Sequence, residues 1–169
     1  MNMLPTAELA LRQMTEVRAY TLERLEGLND DDWYRQPTDF VTHIAWQVGH
    51  LAMAQYYLAL MRIRGEKPDD AKLISPEFIA IFAKGSTPSA DRSIYPTPAV
   101  IRHVFDMVHH QACQELPTMP DHVWGEMVHK PHRLFNTKLD SLLWCGRHEM
   151  LHAGQIGLIR RLLGMQWQW

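Results

Sequence analysis

Several things are scarce in this sequence of 169 residues. It has two cysteines, Cys113 and Cys145. That is too few for a disulfide framework, which a chain of this length does not need in order to fold, so reduced thiols are expected. An excess of one charge is also missing: 17 Lys and Arg stand against 19 Asp and Glu, a formal net charge of -2 with histidine neutral. Without a broad positive field there is no source of general attraction to a phosphate backbone, which argues against nucleic acid as a partner. The densest basic cluster, Arg160 and Arg161, is too small to hold a membrane surface. No window approaches the ~20 apolar residues of a membrane span. The start, MNMLPTAELALRQM, lacks the basic segment and unbroken apolar run of a secretory signal, so a cytoplasmic location is the expectation.

What is present is an ordinary globular balance, 46% hydrophobic and 21% charged, with length for one sizeable core. A single domain over 1–169 is expected. Apolar residues recur at helical spacing while Val, Ile and Thr are not gathered into short regular runs, which predicts an all-α chain. Helix one is expected from about Thr6 to Leu25, with Leu4, Ala7, Leu11 and Met14 on one stripe and Gly27 as its stop. Helix two is expected from near Asp39 to about Arg64, ended by Gly65 and Pro68. In the connection that follows, Ser75 can cap and Pro76 open a short helix. Thr97 and Pro98 start helix three, which Pro117 closes near Leu116. The stretch from Pro117 to Thr137 reads as irregular. Helix four runs from near Thr137 to Leu163, stopped by Gly164, with Arg160 and Arg161 suited to its C-terminal dipole. Four long helices joined by one short and two long connections fit a four-helix bundle.

The unusual count is ten histidines. In RHEMLHAGQIGLIRRLLG, His148 and His152 lie four residues apart and share one helix face. Ser141, Cys145, Ile156, Ile159 and Leu163 continue that mainly apolar stripe, so the pair points inward. Buried imidazoles need hydrogen-bond partners or a metal, and neutral rings sharing a divalent ion are one solution. Two satisfied core histidines are the bland alternative. Helix two offers a third ring: in VTHIAWQVGHLAMAQYYLALM, His50 shares its face with Trp46, Met53, Tyr57 and Met61. Metal sites in bundles draw side chains from facing helices. A set of His50, His148 and His152 leaves coordination positions open, as in catalytic sites. His43, nearer the helix start, is expected no closer than behind a ligand.

HEMLH also satisfies the HExxH pattern of zinc peptidases, with Glu149 as general base. Yet AGQIGLIRRLLGMQWQW contains no His, Asp or Glu to complete the ligand set, and Leu158 stands where the extended pattern needs its last histidine. An all-α chain also lacks an edge strand to hold a peptide.

Two segments, WCGRHEMLHAGQIGLIRRLLG and WQVGHLAMAQYY, resemble the HxxxHxGQI-type final helix and the single-histidine second helix of the DinB-like superfamily. These are bacterial four-helix-bundle metalloproteins that include thiol-dependent transferases and the mycothiol-dependent maleylpyruvate isomerase. The resemblance spans essentially the whole chain. It implies a divalent metal, zinc or nickel foremost, on His50, His148 and His152, and a low-molecular-weight thiol as cosubstrate. A metal-dependent enzyme acting on a small molecule is one reading; a metal- or ligand-binding bundle without turnover and a purely structural helical module are the others. Homodimerisation is compatible with each, Trp167 and Trp169 offering aromatic contacts.

Among the remaining groups, Cys145 lies close to the histidine face and reads as a small buried hydrophobe, with a fourth ligand or reactive thiol as the alternative. Glu149 reads as a solvated or interface carboxylate. Gln47 and Gln155 could orient ligands or water, although glutamines on a helix face are usually surface residues. His103, His109, His110, His122, His129 and His132 are expected at surface and loop positions, His129 and His132 away from the bundle mouth.

Overall fold

The computed structural model describes residues 4–38 and 42–166. Four long helical rods carry the chain. The first is α1 (Pro5–Glu23); the second runs through α2 (Ile44–Gln55), a π-helical turn (Tyr56–Met61) and α3 (Arg62–Arg64). Two short helices, α4 (Asp70–Leu73) and α5 (Pro76–Ile81), lie in the connection to α6 (Pro98–Glu115). A hairpin of β1 (Met127–His132) and β2 (Phe135–Thr137) then leads into α7 (Lys138–Leu162). Helix α1 lies along α7, and α2 lies along both α6 and α7. The result is a four-helix bundle with one small antiparallel sheet at its flank. No helix among the described residues is long and apolar enough to cross a membrane.

The helix ends follow local chemistry. Ser75 and Thr97 accept from the third backbone N–H beyond them, each followed by a proline at the first helical position. Thr137 and Asp140 form a capping box at the start of α7. Arg160, in the last turn of α7, donates to the carbonyls of Arg24 and Glu26 just beyond α1, both at 3.0 Å, tying the ends of the two rods together.

Three expectations need correction. The second rod begins at Ile44 with His43 as its cap, the ring Nδ1 accepting from Trp46 N–H at 3.1 Å; the expected start, Asp39, lies outside the described residues, as do Trp167 and Trp169. The rod is also not uniformly α. Taking about 100° per residue, Arg62 would sit about 120° around from His50. The wider π turn under-winds the rod and swings Arg62 back toward the histidine face, where Met61 was expected. Finally, the segment from Pro117 to Thr137 is not irregular throughout. Its β1 strand is mostly exposed, contains Pro131 and has an irregular register against β2, so it shows none of the alternation that marks a strand in sequence.

Gly49 explains itself in this frame. A Cβ there would fall within 2.5 Å of Phe82 Cδ1 and Cζ, and Phe82 is fully buried against Phe78 and Tyr95. The missing side chain lets α2 seat the Phe82 ring one residue from His50. Gly49→Ala is therefore expected to destabilise the fold by about 1–3 kcal/mol through overpacking. Urea unfolding checks this; an unchanged or raised midpoint would show that the better helix propensity of alanine wins.

Candidate metal centre

His50 from α2 and His148 and His152 from α7 meet between the two rods. Each offers one ring nitrogen, and these atoms all lie within 4.8 Å of one another. The ring centroids are 5.3 Å apart for His50 and His148, 4.9 Å for His50 and His152, and 4.5 Å for His148 and His152. Hydrogen bonds behind the rings set their tautomers. His50 Nδ1 donates to the Phe82 carbonyl at 2.9 Å, and His152 Nδ1 donates to Gln47 Oε1. Carbonyl oxygens only accept, so both rings carry their proton on Nδ1 and turn an Nε2 lone pair inward. His152 Nε2 sits 3.2 Å from His148 Nε2. Two ring nitrogens at this distance need a proton or a cation between them, and tetrahedral zinc with Zn–N of about 2.0–2.1 Å places its nitrogens about 3.3 Å apart. The donor set fits a divalent ion.

The electrostatics agree. His148 is pushed down to about 4, first by burial and then by His50, and His152 to about 3, first by burial and then by His148 and His50. His50 is lowered as well, chiefly by burial. At neutral pH the rings are uncharged and their lone pairs are free to coordinate.

Support reaches outward from the triad. Trp46 stacks on His50 with centroids 4.7 Å apart and planes 10° apart, and its indole N–H donates to Ser86 Oγ at 2.8 Å. Gln47 is held in turn by donating to Thr42 Oγ1 at 3.1 Å. The long connection after α5 thus supplies two anchors, the Phe82 carbonyl and Ser86. His43 stands one step behind, capping the turn that presents Trp46.

The other candidates sort differently. Gln47 is buried and orients a histidine, whereas Gln155 is exposed. Cys145 is 2% exposed and lies outside the cluster of nitrogen donors. Its thiol is pushed up by burial and then by Glu149, the state of an inert core residue. Glu149 is not solvated but lies between α7 and α1. At 2% exposure it accepts from Arg18 Nε at 2.8 Å and from a terminal nitrogen of Arg18 at 3.2 Å. A general base could not be so occupied and so far from solvent, which removes the support for an HExxH peptidase. His132 is also not a background residue: it stacks on Phe135 and lines the same cavity as the triad. His109 is half-buried on α6 and bonded to Gln55. No periodicity marks His132, because a short exposed strand carries it.

That cavity has a volume of about 520 Å³, within the usual range for small-molecule sites. Trp46, Met53, Tyr57 and Trp144 supply its apolar wall, with the three histidines at its edge.

A helical bundle whose second and last rods turn three imidazoles into a small-molecule cavity is the class of protein defined by these observations. Over residues 13–156 the chain matches the DinB superfamily, and it belongs to that superfamily. A solved structure, the conserved protein of locus from Enterococcus faecalis, shares the fold at a TM-score of 0.74 and 13% identity, with 95% of this chain and 99% of that chain covered. No functionally curated protein matches the chain.

Proposed function

We propose that the protein is a metal-dependent enzyme acting on a small molecule, with His50, His148 and His152 as ligands of one divalent ion, zinc or nickel foremost. The observation that carries this reading is the inward convergence of three imidazole nitrogens at the edge of an open cavity, two of them with tautomers set from behind. A divalent ion held there supplies Lewis acidity, which lowers the pKa of a water or thiol and polarises a carbonyl. The chain's own part is to hold the rings. Phe82 and Gln47 keep two Nδ1 protons in place, Trp46 fixes the plane of His50, and the apolar wall offers a surface for the body of a small molecule. Three protein ligands leave room for a reactant, as catalytic zinc sites do. Transfer of a low-molecular-weight thiol to a small electrophile is the reaction that superfamily membership favours, in a cytoplasmic setting.

Purified protein reconstituted with zinc or nickel is expected to retain about one ion per chain after dialysis. His148→Ala and His152→Ala are each expected to remove most of it, and Gln47→Leu to weaken binding by about 10- to 100-fold. Elemental analysis and competition with a chromogenic chelator measure both. No uptake by the wild-type protein would remove the metal reading. For turnover, metal-loaded protein is assayed with glutathione-like, bacillithiol-like and mycothiol-like thiols against small electrophiles; activity that survives in His50→Ala would place the reaction elsewhere.

A further inference from the structure

The charge around the cavity is unlike the charge of the chain. Overall, anionic side chains slightly outnumber cationic ones, yet among the described residues the cavity wall includes Arg62, Lys84, Lys130 and Arg133 and no Asp or Glu. These cations come from three separate places: the rod after its π turn, the loop after α5, and the hairpin. None of the four is in an ion pair among the described residues. Elsewhere the chain pairs its cations readily, as Arg64 does with Asp70 at 2.7 Å and Glu115 at 2.9 Å only two residues from Arg62.

Arg62 is the telling member. It is half-buried, and its Nε is shut off from solvent without a hydrogen-bond partner. Its guanidinium faces the rings of Tyr57 at 5.7 Å and Phe135 at 6.0 Å. A half-buried arginine with one N–H shut off from solvent and no counter-ion is costly unless something anionic completes it. Lys84, Lys130 and Arg133 are exposed at the mouth. Arg133 and Leu134 form the turn of the hairpin, so its tip brings one cation and one apolar side chain to the opening together. His132 registers the same field: it is held below its ordinary value first by burial and then by Arg62, Lys84 and Arg133.

We propose that this cavity binds a small organic anion with an aromatic or branched apolar body, its anionic group paired with Arg62 on the wall and drawn in by Lys84, Lys130 and Arg133 at the mouth. The inference deepens the reading of the histidine site by naming the substrate class, and rests on that site being a place where small molecules bind. An arginine fork matches a carboxylate or phosphate in two parallel hydrogen bonds, and unpaired cations around a low-dielectric cleft raise the local concentration of anions. Trp46, Tyr57 and Trp144 would cover the apolar body.

The test compares 4-phenylbutyrate with 4-phenylbutanamide, which share shape and differ in charge, by calorimetry on zinc-loaded and metal-free protein. The acid is expected to bind about 10- to 100-fold tighter than the amide, the range of a charge-assisted hydrogen bond. That advantage should persist without metal and shrink at high salt. Arg62→Met should abolish most of it while zinc content stays at the wild-type level, and Arg62→Lys should restore part. The exposed triple variant Lys84→Ala, Lys130→Ala and Arg133→Ala should weaken the acid and leave the amide unaffected, and it carries the test if Arg62→Met does not fold. Equal binding of acid and amide, or an advantage that vanishes when the metal is stripped, would overturn the proposal. A failure of zinc uptake with the acid's advantage intact would instead overturn the metal reading alone.

Discussion

Arg18→Met is expected to destabilise the protein by about 3–5 kcal/mol, the usual cost of leaving one charge of a buried pair alone. The residue joins all four rods. From α1 it donates to Glu149 on α7, to the Phe105 carbonyl on α6 at 2.7 Å and to Gln55 Oε1 on α2 at 2.7 Å, and its guanidinium lies 3.3 Å from the centroid of the Phe105 ring. Gln55 Nε2 meets His109 Nδ1 at 3.0 Å, extending the network along α6. Removing the guanidinium strands a carboxylate, an amide oxygen and a carbonyl in the core at once. The double variant Arg18→Met with Glu149→Leu is expected to recover much of the loss, because a well-packed apolar pair of similar volume avoids the desolvation of both charges. Urea unfolding of the two single variants and the double measures this. If Arg18→Met unfolds at the wild-type midpoint, the network contributes no stability. Metal retention by a folded Glu149→Gln variant should be unchanged, since that carboxylate faces Arg18 and not the triad.

The second large effect concerns acid. Metal-free protein is expected to lose stability steeply as pH falls from about 6.5 toward 4, before most carboxylates titrate. His43 and His109 are each pushed down to about 4, chiefly by burial, and join His148 at about 4 and His152 at about 3. The sign follows from proton uptake. Above about 6.5 these rings are neutral in the folded and unfolded chain alike. Between about 6.5 and 4 the unfolded chain binds protons that the folded chain refuses, so unfolding gains ground as pH falls. Each group removes about 1 kcal/mol or slightly more per pH unit in that window, and four together rival the whole stability of an ordinary domain. Thermal unfolding from pH 7.5 to 4.5 is the measurement. The combined His148→Gln and His152→Gln variant should show a slope shallower by about two protons, and a flat profile in the wild type would contradict the burial of these rings.

Much of this protein is written in local pattern. The starts of α5 and α6 were legible because Ser75 and Thr97 are capping residues standing before prolines, and the expected start of the last helix near Thr137 falls on a capping box. The three histidines were legible because four-residue spacing puts His148 and His152 on one stripe, and an apolar and aromatic stripe frames His50. Gln47 and Glu149 were not. Both are polar residues on helix faces, and nothing in their spacing distinguishes a surface glutamine from one that holds His152, or a solvated carboxylate from one locked to Arg18. The partner in each case lies more than a hundred residues away in sequence.

Periodicity and capping thus specify which residues are helical and which face is buried, since both arise from interactions within a few residues along the chain. They carry no information about what meets that face. The π turn that returns Arg62 to the cavity, the Phe82 carbonyl that sets the His50 tautomer, and the hairpin that delivers His132 and Arg133 all depend on packing between distant segments. The metal-ligand candidates could therefore be read from the chain, while the charge and shape of the cavity beside them came into view only once the rods and their connections were assembled.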